Sequence, residues 1–284
     1  MTYDVKHSMK PADIFQARLE AGIARGIPGL SAAVVRGGEL VWTGVAGLAD
    51  VQRAQAVTAP MPFGIGSITK PFVAVIVLQL VAEKRLRLDD TLADLLGPAV
   101  QHIANAGSAT VAHLLGHRSG IPSWEFVPAW IRDGRGAALD ATRVWGKTDA
   151  LRYIFDEPAV APAGEAADYS NSNYTLLGLI IESVTGHDLA HELHARILDP
   201  LGLTSIALEG FEPVASGPAP RRYHWDTETF RKDAGVHPSF TEVRPGLIDV
   251  SASNLSVEWA AGGMVASAAD LARFGAALRA GKLL

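Results

Sequence analysis

The chain has 284 residues, enough for one large domain or for two closely packed ones. Apolar residues make up 48% of it and charged residues 19%, so it can bury a sizeable core and is not expected to be disordered. The formal net charge of −5 argues against a nucleic-acid or anionic membrane surface, and the lack of cysteine excludes disulfides, thiol nucleophiles and cysteine metal sites.

No segment of the sequence has the pattern of an export signal or a membrane span. Residues 1–10 have no apolar core of a signal peptide, and the longest apolar run, residues 71–82, is too short to cross a bilayer. We therefore expect a cytoplasmic protein without membrane contact, or a periplasmic or secreted one if a leader has been removed.

The sequence of the first quarter of the chain predicts a helix, then a β-hairpin, then a second helix. Residues 11–25 have the apolar periodicity of an amphipathic helix. Two strand-like runs, 30–36 and 39–46, flank Gly37-Gly38, which is a hairpin signal. Residues 67–84 are apolar nearly all round, which predicts a buried central helix.

The rest of the chain predicts mainly helices and loops. From residue 86 to residue 200 the pattern is helical with many turns, and the predicted helices cover 91–96, 111–115, 173–184 and 187–198. Residues 209–253 are rich in Pro and Gly and predict an extended loop region beside a binding site. Ser267 is a predicted cap for a last helix.

A serine and a lysine one helical turn apart begin the central helix. Ser67 and Lys70 would lie on the same helix face, where the lysine amine can reach the serine oxygen. Burial near Phe63 and Phe72 would favour a neutral amine that can act as a base. The alternative is a capping serine with a solvated lysine, although a lysine that starts an apolar helix is costly to bury without a role.

A second polar group precedes the apolar helix at 173–184. Tyr169 and Asn171 are two residues apart at a helix start and can point into one cleft. A tyrosine can transfer a proton, and an asparagine can donate to a substrate carbonyl and orient a lysine. The alternative is a turn in which an asparagine caps the helix.

These segments resemble the serine hydrolases of the class C β-lactamase and penicillin-binding-protein type, which include esterase and D-peptidase relatives. The resemblance runs from about residue 20 to the end, and its motifs occur in the family's order. They are Ser67-Ile-Thr-Lys70, Tyr169-Ser-Asn171, Gly26-Ile-Pro-Gly29, His113-Leu-Leu-Gly-His-Arg-Ser-Gly-Ile-Pro122 and Ala260-Ala-Gly-Gly263.

The resemblance implies a mechanism without a cofactor or metal. Ser67 would attack an ester or amide carbonyl and become acylated, while Lys70 and Tyr169 share the acid and base roles. Asn171 would hold the substrate and the lysine. The Ser67 N–H would supply one of the two donors of the oxyanion hole.

The family's third motif, Lys-Thr-Gly or His-x-Gly on a later strand, does not occur after the last matched helix. We therefore expect a further C-terminal segment to complete the site, either a separate chain from the same precursor or a piece lost by truncation. Because only one hairpin is visible and two strands are not a stable sheet, the sheet is also expected to be incomplete in this chain.

The predicted fold is of the α/β plus all-α class, a β-lactamase-like serine hydrolase fold with an antiparallel sheet flanked by helices and a helical subdomain. The α/β part would comprise residues 1–62 and 255–284, and the helical subdomain residues 63–200. Residues 201–254 would form the extended loop region that borders the cleft.

Two aromatic residues, Trp124 and Tyr223, are candidate substrate contacts, with packing as the alternative for each. His187, His191 and His194 share a helix but lack a metal-site order, so a solvated face is expected instead.

The predicted function is hydrolysis of a small ester, amide or peptide, of the esterase or D-amino-acid peptidase type. A β-lactamase or D-Ala-D-Ala carboxypeptidase, and a catalytically silent ligand-binding homologue, are the alternatives.

Overall fold

The computed structural model describes residues 10–214 and 217–284 of the chain. The prediction about an export signal in residues 1–10 falls almost entirely outside this range. In the described residues no helix is both long enough and apolar enough to cross a membrane.

The N-terminal helix and hairpin form as predicted. Helix α1 (Pro11–Ala24) leads into strands β1 (Gly29–Arg36) and β2 (Glu39–Asp50), which pair antiparallel. Gly37 and Gly38 join them with φ of +62° and +89°, and both angles suit the tight turn that matches strand twist. Within the described residues β1 lies at the edge of its sheet, because the strand order is β1-β2-β3 with β3 at Gln55–Ala56.

Most of the helices lie between residues 69 and 201. Helix α2 (Thr69–Ala82) follows a single 3₁₀ turn, Gly66–Ile68, and helix α6 (Asn171–Thr185) ends at Gly186 in a left-handed conformation. The predicted helix 187–198 is instead a short α-helix at Leu189–Leu193 followed by a π-helical turn at His194–Leu198, and a further helical turn at Asp199–Leu201 lies beyond the predicted end. The shorter helices are α3 (Leu92–Leu96), α4 (Val111–Leu115), α5 (Pro128–Arg135), α7 (Leu189–Leu193) and α8 (Asp199–Leu201).

Residues 201–254 hold more regular structure than the predicted extended loop. Two further antiparallel sheets use strands from this region, in the orders β4-β9-β5 and β6-β8-β7. Their strands are too short to show an alternating pattern in sequence, which is why the prediction missed them. They are β4 (Phe63–Gly64), β5 (Ala207–Leu208), β6 (Tyr223–Trp225), β7 (Thr241–Arg244), β8 (Leu247–Asp249) and β9 (Met264–Ala266), with helix α9 (Glu228–Asp233) between β6 and β7.

The main core surrounds α2 and α6. Side chains of both helices are buried nearly all round, as the apolar sequence of α2 predicts. Helix α10 (Trp259–Gly262) packs against both of them. Helix α11 (Ala268–Arg279) is joined to α2 by the stacked rings of Phe72 and Phe274, whose centroids are 3.5 Å apart. The first turns of α2 and α6 therefore lie beside α10, where the candidate site forms.

Candidate active site

Ser67 is held between a strand and a helix. Strand β4 pairs with β9 just before it, and Ile65 N–H donates to the Met264 carbonyl at 3.0 Å. Just after it, the Thr69 hydroxyl accepts the Met264 N–H at 3.2 Å. These bonds fix the 3₁₀ turn from both sides, and Ser67 lies exposed on it.

Lys70 is buried one turn later and points at Ser67. Its Nζ lies 3.1 Å from the Ser67 Oγ, 2.7 Å from the Asn171 Oδ1 and 2.7 Å from the Ala261 carbonyl oxygen. Its three acceptors match the three N–H groups of an ammonium. Because the Asn171 and Ala261 oxygens can only accept, a neutral amine would direct its two hydrogens to them. Its lone pair would then face the Ser67 hydroxyl.

Tyr169 lies on the other side of the serine. Its hydroxyl is 2.7 Å from the Ser67 Oγ, and its ring lies 4.9 Å from the Lys70 Nζ. The tyrosine is 43% exposed, so this face of the serine is open to solvent. Tyr169, Ser67 and Lys70 can thus form a continuous chain of O–H and N–H groups along which a proton can pass.

Asn171 is positioned by the loop that precedes α5. Its N–H donates to the Ser123 hydroxyl at 3.0 Å, and its side-chain amide bridges Lys70 and Glu125. Oδ1 accepts from Lys70, while Nδ2 donates to the Glu125 carboxylate. Glu125 therefore already engages the Nδ2 that the sequence assigned to a substrate carbonyl.

The ring of His117 packs against the ring of Tyr169. Its ring stacks on Tyr169 with centroids 4.3 Å apart, and its Nδ1 lies 3.2 Å from the Ser170 nitrogen, whose N–H donates to it. Burial lowers the pKa of His117, and the positive charge of Lys70 acts in the same direction. A neutral His117 can accept this hydrogen bond, whereas a protonated ring cannot.

The two predicted aromatic contacts differ in placement. Trp124 is fully buried, and its indole N–H donates to the Thr175 hydroxyl at 3.1 Å. Its assignment as a substrate contact is therefore corrected to a packing role, because no part of it reaches the cleft. Tyr223 is partly buried and lines a cavity beside Glu125, with its hydroxyl accepting the Val51 N–H at 2.8 Å.

Of the three histidines of the predicted solvated face, His187 and His191 are exposed, and His187 and His194 lie beside carboxylates. His187, His191 and Glu192 have ligand atoms within 4.8 Å of one another. The Glu192 carboxylate lies 2.8 Å from the His187 Nδ1 and 2.5 Å from the Arg196 Nε. His194 lies between the carboxylates of Asp199 and Glu212.

The model of the family described as Beta-lactamase matches residues 12–284. This chain belongs to the Beta-lactamase family. The match covers nearly the whole chain, and it confirms the resemblance inferred from the Ser-x-x-Lys and Tyr-x-Asn motifs.

Curated relatives of this Beta-lactamase-family chain include an esterase and a penicillin-binding protein. Esterase EstB of Burkholderia gladioli is 31% identical over 199 residues, which are 66% of this chain and 49% of the esterase. Penicillin-binding protein 4 of Amycolatopsis lactamdurans is 34% identical over 178 residues, which are 62% of this chain and 44% of that protein. The matched region thus spans about half the length of these relatives.

Solved structures of amidases share the fold. The D-amino acid amidase of Ochrobactrum anthropi SV3, complexed with L-phenylalanine amide, has a TM-score of 0.81 and 27% identity, over 96% of this chain and 72% of the amidase. A D-stereospecific amidohydrolase from Streptomyces sp. has a TM-score of 0.77 and 31% identity, over 97% and 75% of the two chains. The predicted β-lactamase-like fold is confirmed.

Several residues around the predicted pair were not identified from the sequence. Glu125, Ser123 and the Ala261 carbonyl each contact Lys70 or Asn171 from a distant segment. His117 belongs to the motif His113–Pro122, which carries the family resemblance but to which the sequence assigns no role in the site. An isolated carboxylate or a main-chain carbonyl carries no sequence signal, because its role depends on tertiary placement alone.

Proposed function

We propose that this chain is a serine hydrolase that cleaves a small ester or amide through an acyl intermediate on Ser67. The observation that carries the proposal is the placement of the Ser67 Oγ 2.7 Å from the Tyr169 hydroxyl and 3.1 Å from the Lys70 Nζ. Nucleophile, base and proton carrier are then within hydrogen-bond reach of one another.

The proposed reaction has two steps. The Ser67 oxygen forms a bond to the substrate carbonyl carbon while its proton passes to the Lys70 amine, and the Ser67 N–H supports the oxyanion. The bond to the leaving alcohol or amine then breaks, and the leaving group takes up the proton through Lys70 or Tyr169. In the second step water attacks the acyl carbon and gives a proton to Lys70 or Tyr169. The bond between that carbon and the Ser67 oxygen then breaks, the carboxylic acid leaves, and the Ser67 oxygen takes up the proton from the same groups.

The relatives support an esterase or amidase rather than a β-lactamase. The curated esterase and the amidase structures are named for ester and amide cleavage, and the amidases match nearly the whole of this chain. We therefore place an ester or an amide of an amino acid first among substrates of this chain.

Active-site labelling tests the proposal. The full chain is treated with a fluorophosphonate probe and assayed on p-nitrophenyl esters, D- and L-amino acid amides and a chromogenic β-lactam. We expect one adduct located on Ser67, turnover of an ester or amide, and loss of both in Ser67→Ala. Ser108→Ala, which removes an exposed hydroxyl that contacts none of these groups, should still be labelled at Ser67. An unlabelled wild type that still binds amides would support a silent binding protein instead.

A further inference from the structure

Two histidines and a glutamate lie close together where helix α6 leads into helix α7. The His187 Nδ1 lies 2.8 Å from the Glu192 Oε1, and the rings of His187 and His191 have centroids 4.3 Å apart. One ligand atom from each of the three residues lies within 4.8 Å of the other two. Within residues 10–214 and 217–284, no other three histidine or acidic side chains are grouped this closely. His187, His191 and Glu192 thus form a distinct His–Glu cluster.

The local backbone holds both histidines in place. The His187 N–H donates to the Thr185 hydroxyl at 3.2 Å, directly after the left-handed Gly186 that ends α6. The His191 N–H donates at 2.7 Å to the carboxylate of Asp188, which caps α7. His187 therefore lies in a turn outside the helix, so the helical spacing of the histidines in the sequence does not decide where its ring lies. The sequence pattern missed the cluster for this reason.

Glu192 supplies a buried negative charge to the cluster. The residue is 4% exposed, and its carboxylate lies between His187 and the Arg196 Nε, which is 2.5 Å away. Burial acts to raise the pKa of Glu192, but the hydrogen bonds from Arg196 and His187 outweigh it and hold the pKa below its ordinary value. Because Arg196 also pairs with the Glu83 carboxylate, 2.5 Å from its Nη1, it neutralises Glu192 only in part.

This set of side chains matches the ligand preference of a transition metal. Imidazole nitrogens suit Zn²⁺, Ni²⁺ and Cu²⁺, and Zn²⁺ also accepts a carboxylate oxygen, whereas Mg²⁺ and Ca²⁺ prefer oxygen ligands alone. Ligand atoms that lie about 2.0–2.1 Å from a tetrahedral zinc ion are about 3.4 Å from one another. The His187 Nδ1 and the Glu192 Oε1 are already within this spacing, and the exposed ring of His191 can turn toward them. A neutral His187 that binds metal through Nδ1 carries its hydrogen on Nε2 instead.

We propose that His187, His191 and Glu192 form a binding site for a divalent transition metal of the Zn²⁺ type, with water in the remaining coordination position. The metal links the turn after α6 to helix α7, and it stabilises the fold because the three ligands come together only in the folded chain. The site lies at the opposite end of α6 from Asn171, a helix length of about 20 Å for 15 residues. It is therefore separate from Ser67, and this inference does not depend on the proposed hydrolysis.

Calorimetric titration tests the site on the full chain without a histidine tag, after dialysis against EDTA and removal of the chelator. We expect one equivalent of Zn²⁺ to bind, and Mg²⁺ at the same concentration to bind far more weakly. Zn²⁺ at about 100 times its Kd should raise the Tm by a few degrees, and EDTA should reverse this rise. Zn²⁺ that binds no more tightly than Mg²⁺, or a Tm that does not respond to Zn²⁺, would overturn the proposal.

Substitution of each histidine identifies the ligands. His187→Gln and His191→Gln should each weaken Zn²⁺ binding by at least about 10-fold, because even a residue that only supports a metal ligand is worth about 10- to 100-fold. Both side chains are exposed, so the variants should fold, and far-UV circular dichroism checks this.

His102→Gln is the matched control for these variants. His102 is also exposed beside a carboxylate, with its Nδ1 3.0 Å from the Asp156 Oδ1, but it belongs to no cluster of three such residues in the described part of the chain. This variant should bind Zn²⁺ as wild type does. Unchanged Zn²⁺ affinity in both folded variants of the cluster, or an equal loss in His102→Gln, would contradict the assignment of the ligands.

Discussion

Lys70 makes three hydrogen bonds. Two of its acceptors, the Asn171 Oδ1 and the Ala261 carbonyl oxygen, cannot donate a hydrogen bond. The Ser67 hydroxyl alone among the three can reverse its direction and become a donor to the amine. Proton transfer between Ser67 and Lys70 therefore leaves the other two bonds intact, and it needs no movement of the lysine.

Replacing this amine by a permanent cation tests whether it acts as a base. Lys70→Arg keeps a positive charge and several donors but cannot accept a proton at neutral pH. We expect kcat for ester cleavage to fall by about 10²- to 10⁴-fold, the range typical of a lost general base. Lys147→Arg, at an ion pair with Glu182, should change kcat little. Near-normal kcat in Lys70→Arg would contradict proton transfer to Lys70.

His117 should make the stability of the fold depend on pH. Because burial lowers its pKa in the folded state, the unfolded chain takes up the proton first as the pH falls. The free energy of unfolding should therefore decrease as the pH drops from about 6.5, the ordinary value for histidine, through the lowered pKa. Below that pKa both states are protonated, and this contribution no longer changes.

Urea unfolding of wild type and His117→Gln at pH 7.5 and pH 5.5 measures this effect. The glutamine can accept from the Ser170 N–H but does not titrate. We expect the loss of stability between the two pH values to be smaller in the variant than in wild type. An identical loss in both proteins would assign the pH dependence to other groups.

Among the secondary-structure elements, helices α6 and α10 are in close contact at Gly178. A Cβ added at Gly178 would lie 2.6 Å from the Ala260 Cβ and 2.8 Å from the Trp259 ring. The same segment of α10 presents the Ala261 carbonyl to Lys70. The small residue in α6 thus allows the approach of α10 that places one acceptor of the lysine.

Gly178→Ala should therefore destabilise the fold by about 1–3 kcal/mol, the usual cost of overpacking a well-packed contact. Gly275→Ala is the matched control, since a Cβ there meets nothing within 4 Å and Gly275 also lies inside a helix. That substitution should stabilise by about 0.5–1 kcal/mol because alanine favours helix. Thermal unfolding of both variants measures the difference, and equal effects would show that the approach of α10 is not tight.

The sequence predicted the helices and strands whose residue patterns extend over many positions. The apolar runs of α2 and α6 and the Gly37-Gly38 hairpin could be identified from the sequence, as could the spacing of Ser67 and Lys70. Strands of two to four residues could not, because they are too short to show an alternating pattern and some of their partners lie far along the chain, as Phe63 and Ala266 do. Glu125 could not be identified as part of the site either, since its contact with Asn171 arises only from tertiary packing.

For the whole molecule, one continuous core joins α2, α6, α10 and α11. The smaller sheets with their own apolar clusters, such as Leu139, Phe240 and Ile248, lie outside it. The nucleophile and lysine thus rest on the large core, whereas the cavity beside Glu125 includes Phe230 and Val250 of a satellite cluster. The nucleophile and part of the wall of this cavity therefore rest on different apolar clusters.

The hydrogen bonds of Lys70 also bear on the order of folding. Its bonds to Asn171 and Ala261 close loops of 101 and 191 residues. Local helices form in about a microsecond, whereas contacts of such long range must wait until much of the chain entropy has been lost. After dilution from urea, far-UV circular dichroism should therefore recover before Ser67 can be labelled by a fluorophosphonate in a quenched-flow experiment. Simultaneous recovery of the two signals would mean that Lys70 forms its hydrogen bonds to Asn171 and Ala261 as early as helix α2 forms.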